Sequence, residues 1–343
     1  MNIIRYILQY KFFNQVLSEM VVCVIIIICF NPSQTFTQEL SEIQEFGRNP
    51  GNLELFVRLS PNKNRPLVVI LHGCSQSAKK TVELSGWDKL SQELDVNLLA
   101  PQQRFSNNSG RCFNWFLKED NSFNNGEARS IYEMINYVQS IQQIDRNQVF
   151  ITGFSAGGQM AVSMLVLYPN MFEGGAVFAC GPYGTAEKQS EALDAMKGKH
   201  GLSKDELVNK VIDIHPTTDK SYPRLAIYQG LKDDIVQPEL ANQLANQWLG
   251  LEKQSSFSID ITEQVNGIDG IHCTIYMNQL NIPFVKLYEL NAFGHQLAVD
   301  PGEEVYQGGR IGVYGKDINF WSARQVAVDF GLLESYFPKR NLK

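Results

Sequence analysis

The 343-residue sequence contains no run of lysine or arginine, no internal repeat and no proline- or serine-rich linker. With a formal net charge of −6, the first absence argues against a nucleic-acid groove or an anionic membrane surface as partner. The other two argue against repeat arrays and an appended module. Long apolar runs are scarce as well. The longest, Met20-Val-Val-Cys-Val-Ile-Ile-Ile-Ile-Cys-Phe30, is about half of the roughly 20 residues a spanning helix needs, so no stable membrane span is expected in the mature chain. It follows Arg5 and Lys11 and precedes a polar stretch from Asn31 to Gln38. This arrangement reads as an export signal over residues 1–35 with an open cleavage position, and implies a secreted or periplasmic protein. Ile28 stands before Cys29 where a lipid-attachment box needs a small residue, so lipidation is not expected.

What remains, residues 36–343, has the composition of an ordinary globular domain: 44% hydrophobic and 19% charged over the whole chain. A single α/β domain is expected. Of six cysteines, Cys23 and Cys29 leave with the signal. Cys74, Cys112, Cys180 and Cys273 stay, and four cysteines in an exported chain allow three pairings.

Short, almost wholly apolar runs without alternation suit parallel strands covered on both faces. They occur at Pro66–Gly73, Val96–Pro101, Val149–Gly153, Gly174–Ala179, Arg224–Gly230 and Phe284–Leu290. Stretches with apolar residues at helical spacing lie between them, at Trp87–Leu94, Glu127–Gln139, Gln159–Leu167 and Pro238–Leu249. Their alternation predicts a mostly parallel sheet with helices on both faces. Two segments break the pattern: Thr185–Tyr222 is polar and helix-prone, and Leu251–Ile282 reads as a hairpin on a sheet edge.

The third apolar run ends in Gln148-Val-Phe-Ile-Thr-Gly-Phe-Ser-Ala-Gly-Gly-Gln-Met160. This is the Gly-x-Ser-x-Gly pattern with a strand before it and a helix after it, the context of a nucleophile elbow. Glycines two positions either side of Ser155 remove side chains that would collide with the neighbouring strand and helix.

A serine hydroxyl needs a base to take its proton and an acid to orient that base. Histidines are few, five in all. His72 belongs to a strand-end turn, His200 to a polar stretch, His215 precedes Pro216, and His272 lies in a β-like run. His295 alone follows a late strand, in Asn291-Ala-Phe-Gly-His-Gln296, where the loop leaves the carboxyl end of the sheet. In this architecture the acid lies between serine and histidine in the chain. Asp233 is preferred, in a strand–glycine–turn context, with its neighbour Asp234 as competitor. The backbone amides of Ala156 and of Cys74 are the expected oxyanion donors. The aromatics of the Cys112–Phe116 loop, Trp115 foremost and Phe116, together with Tyr183 after another strand, are candidate substrate contacts. Trp248, Tyr306 and Trp321 read as packing residues.

These motifs resemble the esterase family of poly(3-hydroxybutyrate) depolymerases and the related feruloyl and acetyl xylan esterases. The likeness is carried by Leu71-His-Gly-Cys-Ser-Gln76, Gly86-Trp-Asp88, Pro101-Gln-Gln103, Cys112-Phe-Asn-Trp-Phe116, the Ser155 motif, Gly230-Leu-Lys-Asp233 and Gly294-His295. It extends over roughly residues 50 to 335. The resemblance implies an α/β-hydrolase fold, a Cys74–Cys112 disulfide, an acyl-enzyme mechanism and no metal or organic cofactor. A Cys180–Cys273 bridge is a weaker expectation. The implied partner is an ester substrate, a polyester oligomer or a plant-wall ester. A non-catalytic binding protein with the same fold is the alternative of another class.

Overall fold

The computed structural model describes residues 39–215, 221–252, 257–262 and 264–334. The expected export signal, with Cys23 and Cys29, lies outside them. From Leu40 onward the described residues belong to one compact unit.

Six of its strands form the parallel heart of a ten-stranded sheet. They are β3 (Leu67–Leu71), β4 (Asn97–Gln102), β5 (Val149–Phe154), β6 (Gly174–Phe178), β7 (Arg224–Gly230) and β10 (Pro283–Leu290), in spatial order β4-β3-β5-β6-β7-β10. Every residue of β3, β4, β5 and β6 is buried, which is why these strands are continuously apolar where an open sheet would alternate. Antiparallel strands close both edges. On one side lie β2 (Glu54–Arg58) and β1 (Ser41–Ile43); on the other lie β9 (Ile271–Met277) and β8 (Ser258–Thr262). The expected edge hairpin is thus β8–β9. The opposite pair is too short and too mixed in polarity to stand out in the sequence.

Successive side chains of a strand point to opposite faces, and the core divides accordingly. Leu67, Val69 and Leu71 of β3 pack with helices α3 (Gly126–Gln142), α4 (Ala156–Leu167) and α7 (Glu239–Leu251). Val68 and Ile70 pack with α1 (Ala78–Ser85), α2 (Trp87–Glu93) and α8 (Ser322–Asp329) on the other face. All twelve residues of α4 are buried, and a helix apolar on every side belongs in the interior. The polar segment after residue 185 supplies α5 (Gln189–Met196) and α6 (Lys204–Ile212). A small two-stranded sheet, β11 (Leu297–Val299) with β12 (Gly315–Asp317), follows the main one. Among the described residues no helix is long and apolar enough to cross a membrane.

Candidate active site

Ser155 stands between β5 and α4 with φ 56° and ψ −121°, a backbone region that a side chain normally avoids. The turn is held from outside. The Ser155 N–H donates to the Phe178 carbonyl of β6 at 2.9 Å. A Cβ on Gly153 would come within 2.2 Å of the Gly157 carbonyl oxygen, and one on Gly157 within 2.3 Å of the Leu71 carbonyl oxygen. Both glycines of the motif are therefore required by contact.

Three loops at the carboxyl end of the sheet converge on this turn. Ser155 Oγ lies 2.9 Å from Nε2 of His295, and Nδ1 of His295 lies 2.7 Å from Oδ2 of Asp233. A carboxylate can only accept, so the ring proton sits on Nδ1 and is donated to Asp233, which leaves the Nε2 lone pair to accept from the hydroxyl. Asp233 is itself fixed, since its Oδ1 accepts the Ile235 and Val236 amides at 2.9 Å each. Asp234 is exposed and makes no such contact. Of the two adjacent aspartates, the structure brings Asp233 to His295.

The meeting of the acid and histidine loops depends on Gly230. A Cβ there would stand 2.4 Å from the Phe293 carbonyl oxygen. Without it, the Leu231 and Lys232 amides donate to the Leu290 and Phe293 carbonyls at 2.9 and 2.8 Å.

The other histidines are committed elsewhere. His72 is buried, its Nδ1–H donating to Gly73 O at 2.8 Å and its Nε2 accepting the Gln103 amide at 3.0 Å. Burial pushes its pKa down to about 4, so it is a neutral turn residue. His200 bridges Gln243 and the Leu202 amide. His215 meets the last carbonyls of α4, and His272 contacts Asn291 on the sheet edge.

A cavity of about 540 Å³, partly open to solvent, lies over Ser155. Cys74 and Ala156, the expected oxyanion donors, border it, as do Trp115 and Phe116. Tyr183 does not reach it. Its backbone is clamped by Gln247, at 2.8 Å to the amide and 3.0 Å to the carbonyl, and its ring joins the core behind the wall. That part of the cavity is instead built by α5 through Ala192, Ala195 and Met196, which the polar, helix-prone appearance of the segment did not disclose. The polar side chains of the wall are already occupied: Gln159 accepts the Gly181 amide at 2.9 Å and donates to Pro182 O at 3.0 Å, and Thr185 also turns to Pro182 O.

Cys74 and Cys112 are joined by a disulfide, which ties the loop after β3 to the aromatic loop. The expected bridge between Cys180 and Cys273 is not formed; both are free and buried. The reason is topological. Cys180 packs on the α4 side of the sheet and Cys273 on the α8 side, and β6, which Cys180 follows, is separated from β9, which holds Cys273, by β7 and β10. Trp248 and Trp321 are packing residues, each donating its indole N–H to a buried carbonyl at 2.7 Å.

A buried polar network lies under the aromatic loop. Glu127 Oε2 accepts the Asn114 amide at 2.8 Å, and Oε1 accepts from Gln103 Nε2, which also donates to Cys112 O at 3.0 Å. Burial, with Asp120 nearby, pushes the Glu127 carboxyl up to about 8. The sequence did carry a sign of it. Glu127 occupies the same stripe of α3 as Ile131, Met134, Ile135 and Val138, all buried, and a carboxyl on an apolar stripe calls for a partner.

Comparison with known proteins places this geometry. The family described as Esterase PHB depolymerase matches residues 57–264. Poly(3-hydroxyalkanoate) depolymerase C of Paucimonas lemoignei is 32% identical over 311 residues, covering 90% of this chain and 73% of that protein. The chain belongs to the PHB depolymerase esterase family. Feruloyl esterase B of Thermothelomyces thermophilus is 27% identical over 67% of this chain and 79% of its own length. Acetylxylan esterase A of Aspergillus oryzae is 24% identical over 62% and 71%. Among solved structures, an acetyl xylan esterase from Aspergillus awamori superposes with a TM-score of 0.70 at 19% identity, covering 86% of this chain and all of that one. The fold is that of the α/β-hydrolases, and the chain is an esterase.

Proposed function

We propose that this esterase is an exported serine hydrolase, a single catalytic domain over residues 36–343 behind a signal at 1–35, acting on polyhydroxyalkanoate-type esters or their oligomers. Ser155 Oγ attacks the ester carbonyl as His295 Nε2 takes its proton, with Asp233 stabilising the imidazolium. The amides of Cys74 and Ala156 hold the tetrahedral oxyanion. Collapse breaks the ester C–O bond, and His295 gives the proton to the departing alkoxide. Water then attacks the acyl–Ser155 ester with the same base, releasing a carboxylic acid and the free serine.

One observation favours the substrate class. The cavity wall is apolar, and its side-chain hydrogen-bonding groups other than Ser155 are turned to backbone partners. A wall of this kind selects by shape and apolar contact. It suits a short aliphatic acyl chain better than a phenolic one, whose hydroxyl would be left without a partner. The greater identity to the Paucimonas depolymerase than to the feruloyl and acetylxylan esterases points the same way.

The test is a panel of hydroxybutyrate oligomers, methyl ferulate and acetylated xylan ranked by kcat/KM, with Ser155→Ala as control. Oligomers should lead, and the variant should lose at least about 1,000-fold in kcat. Methyl ferulate or acetylated xylan in first place would overturn the substrate, and an active Ser155→Ala would overturn the mechanism.

A further inference from the structure

A second concavity lies on the other side of the Cys74–Cys112 disulfide. It is a solvent-open groove of about 830 Å³ along the amino end of β2 and the carboxyl end of β4, and Lys79, Arg104 and Arg111 line it. Its one carboxylate is Glu54, 3.5 Å from Arg104, so positive charge is in excess there on a chain of net −6. Lys79 and Arg111 are exposed, and no carboxylate among the described residues pairs with either. Lys79 instead rests over the Phe56 ring at 5.4 Å. Phe105, 65% exposed, adds an apolar surface beside the cations. The groove also adjoins the cavity over Ser155. Arg111 directly precedes Cys112, and Ser77 lies three residues after Cys74, while both cysteines line the cavity.

We infer that this groove binds the carboxylate end of a hydroxy-acid oligomer while an ester bond of the same molecule lies at Ser155. The inference rests on the polyester reading of the site. Such an oligomer carries one terminal carboxylate, and every cut makes another. A guanidinium and an ammonium flanked by an aromatic ring match a carboxylate on a short aliphatic chain. Charge steering over this distance also concentrates an anionic substrate at the cleft. The groove thus gives the esterase a preference for chains that end in a free acid.

The test compares a hydroxybutyrate tetramer with its methyl ester, using the wild type and the Lys79→Gln/Arg111→Gln double variant. The wild type should favour the free acid about fivefold in kcat/KM at low ionic strength, as expected for two exposed ion pairs. That preference should fall toward unity in 0.5 M salt, a concentration of about that order screening such pairs, and in the double variant. Hydrolysis of p-nitrophenyl butyrate should be unchanged throughout. Equal cleavage of acid and methyl ester by the wild type, or a preference that survives in the variant, overturns the groove. If neither tetramer is cut while p-nitrophenyl butyrate is, the polyester reading fails and the inference fails with it. Slower cutting of free 3-hydroxybutyrate chains in the presence of added 3-hydroxybutyrate monomer, lost in the double variant, would mark the released acid as a second occupant and support the assignment.

Discussion

Ser155 holds a positive φ because the chain on either side leaves it no alternative: β5 delivers it, α4 begins at Ala156, and the Phe178 carbonyl receives its amide. The strain is borne by a turn whose flanking strand and helix are wholly buried, so the rest of the fold stabilises it. The same scale separates the two aspartates. Asp233→Asn keeps the shape but puts the wrong hydrogen-bonding group against His295 Nδ1, and kcat should fall by about 10,000-fold. Asp234→Asn should stay within about twofold. Steady-state kinetics on p-nitrophenyl butyrate check both, and a larger loss at Asp234 would refute the assignment. In the sequence, Asp233 and Asp234 differ only in their offset from Gly230. The two amide donors to Oδ1 come from Ile235 and Val236 folding back on the aspartate, a contact that no spacing rule expresses.

At the scale of elements, the Cys74–Cys112 disulfide joins two loops that the sheet alone would leave independent. It closes a loop of sequence separation 38, for which the chain-entropy account gives about 4 kcal/mol of stabilisation. Replacing both cysteines with serine should lower the unfolding free energy by roughly that amount in urea melts. If Cys74 and the aromatic loop depend on the tie for their placement, kcat should fall as well under conditions where the variant is still folded; an unchanged kcat would make the bridge a stabilising device alone. A second tie is remote from the site. Asp329 at the end of α8 accepts from Tyr228 and Tyr288 hydroxyls and from Lys286 Nζ, at 2.5, 2.9 and 2.8 Å. Asp329→Ala leaves that ammonium without its partner and should cost about 3 kcal/mol with little change in kcat, because α8 lies across the sheet from α4.

For the whole molecule, pH acts on stability through Glu127. Its folded pKa is raised to about 8 from the ordinary carboxyl value of 4.5, so the folded state holds this proton more tightly than the unfolded one. The contribution to stability is complete below about pH 4.5 and is lost as pH rises through about 8. Thermal melts of the wild type between pH 5 and 9 should therefore show Tm falling on the alkaline side. Glu127→Gln, which cannot ionise, should flatten that fall even if one of its hydrogen bonds is lost and Tm is lower throughout. An equally steep decline in the variant would exclude Glu127 as the source.

The sequence by itself determined the parallel core, the edge hairpin and the meeting of Ser155 with His295, because these follow from local apolar periodicity, glycine contacts and chain order. It could not place Tyr183 behind the wall, assign α5 to the cavity, keep Cys180 and Cys273 apart, or name the partners of Glu127. Each of those depends on which face of the sheet a side chain reaches and on what folds against it from a distant segment. Only the tertiary structure, through packing, decides that.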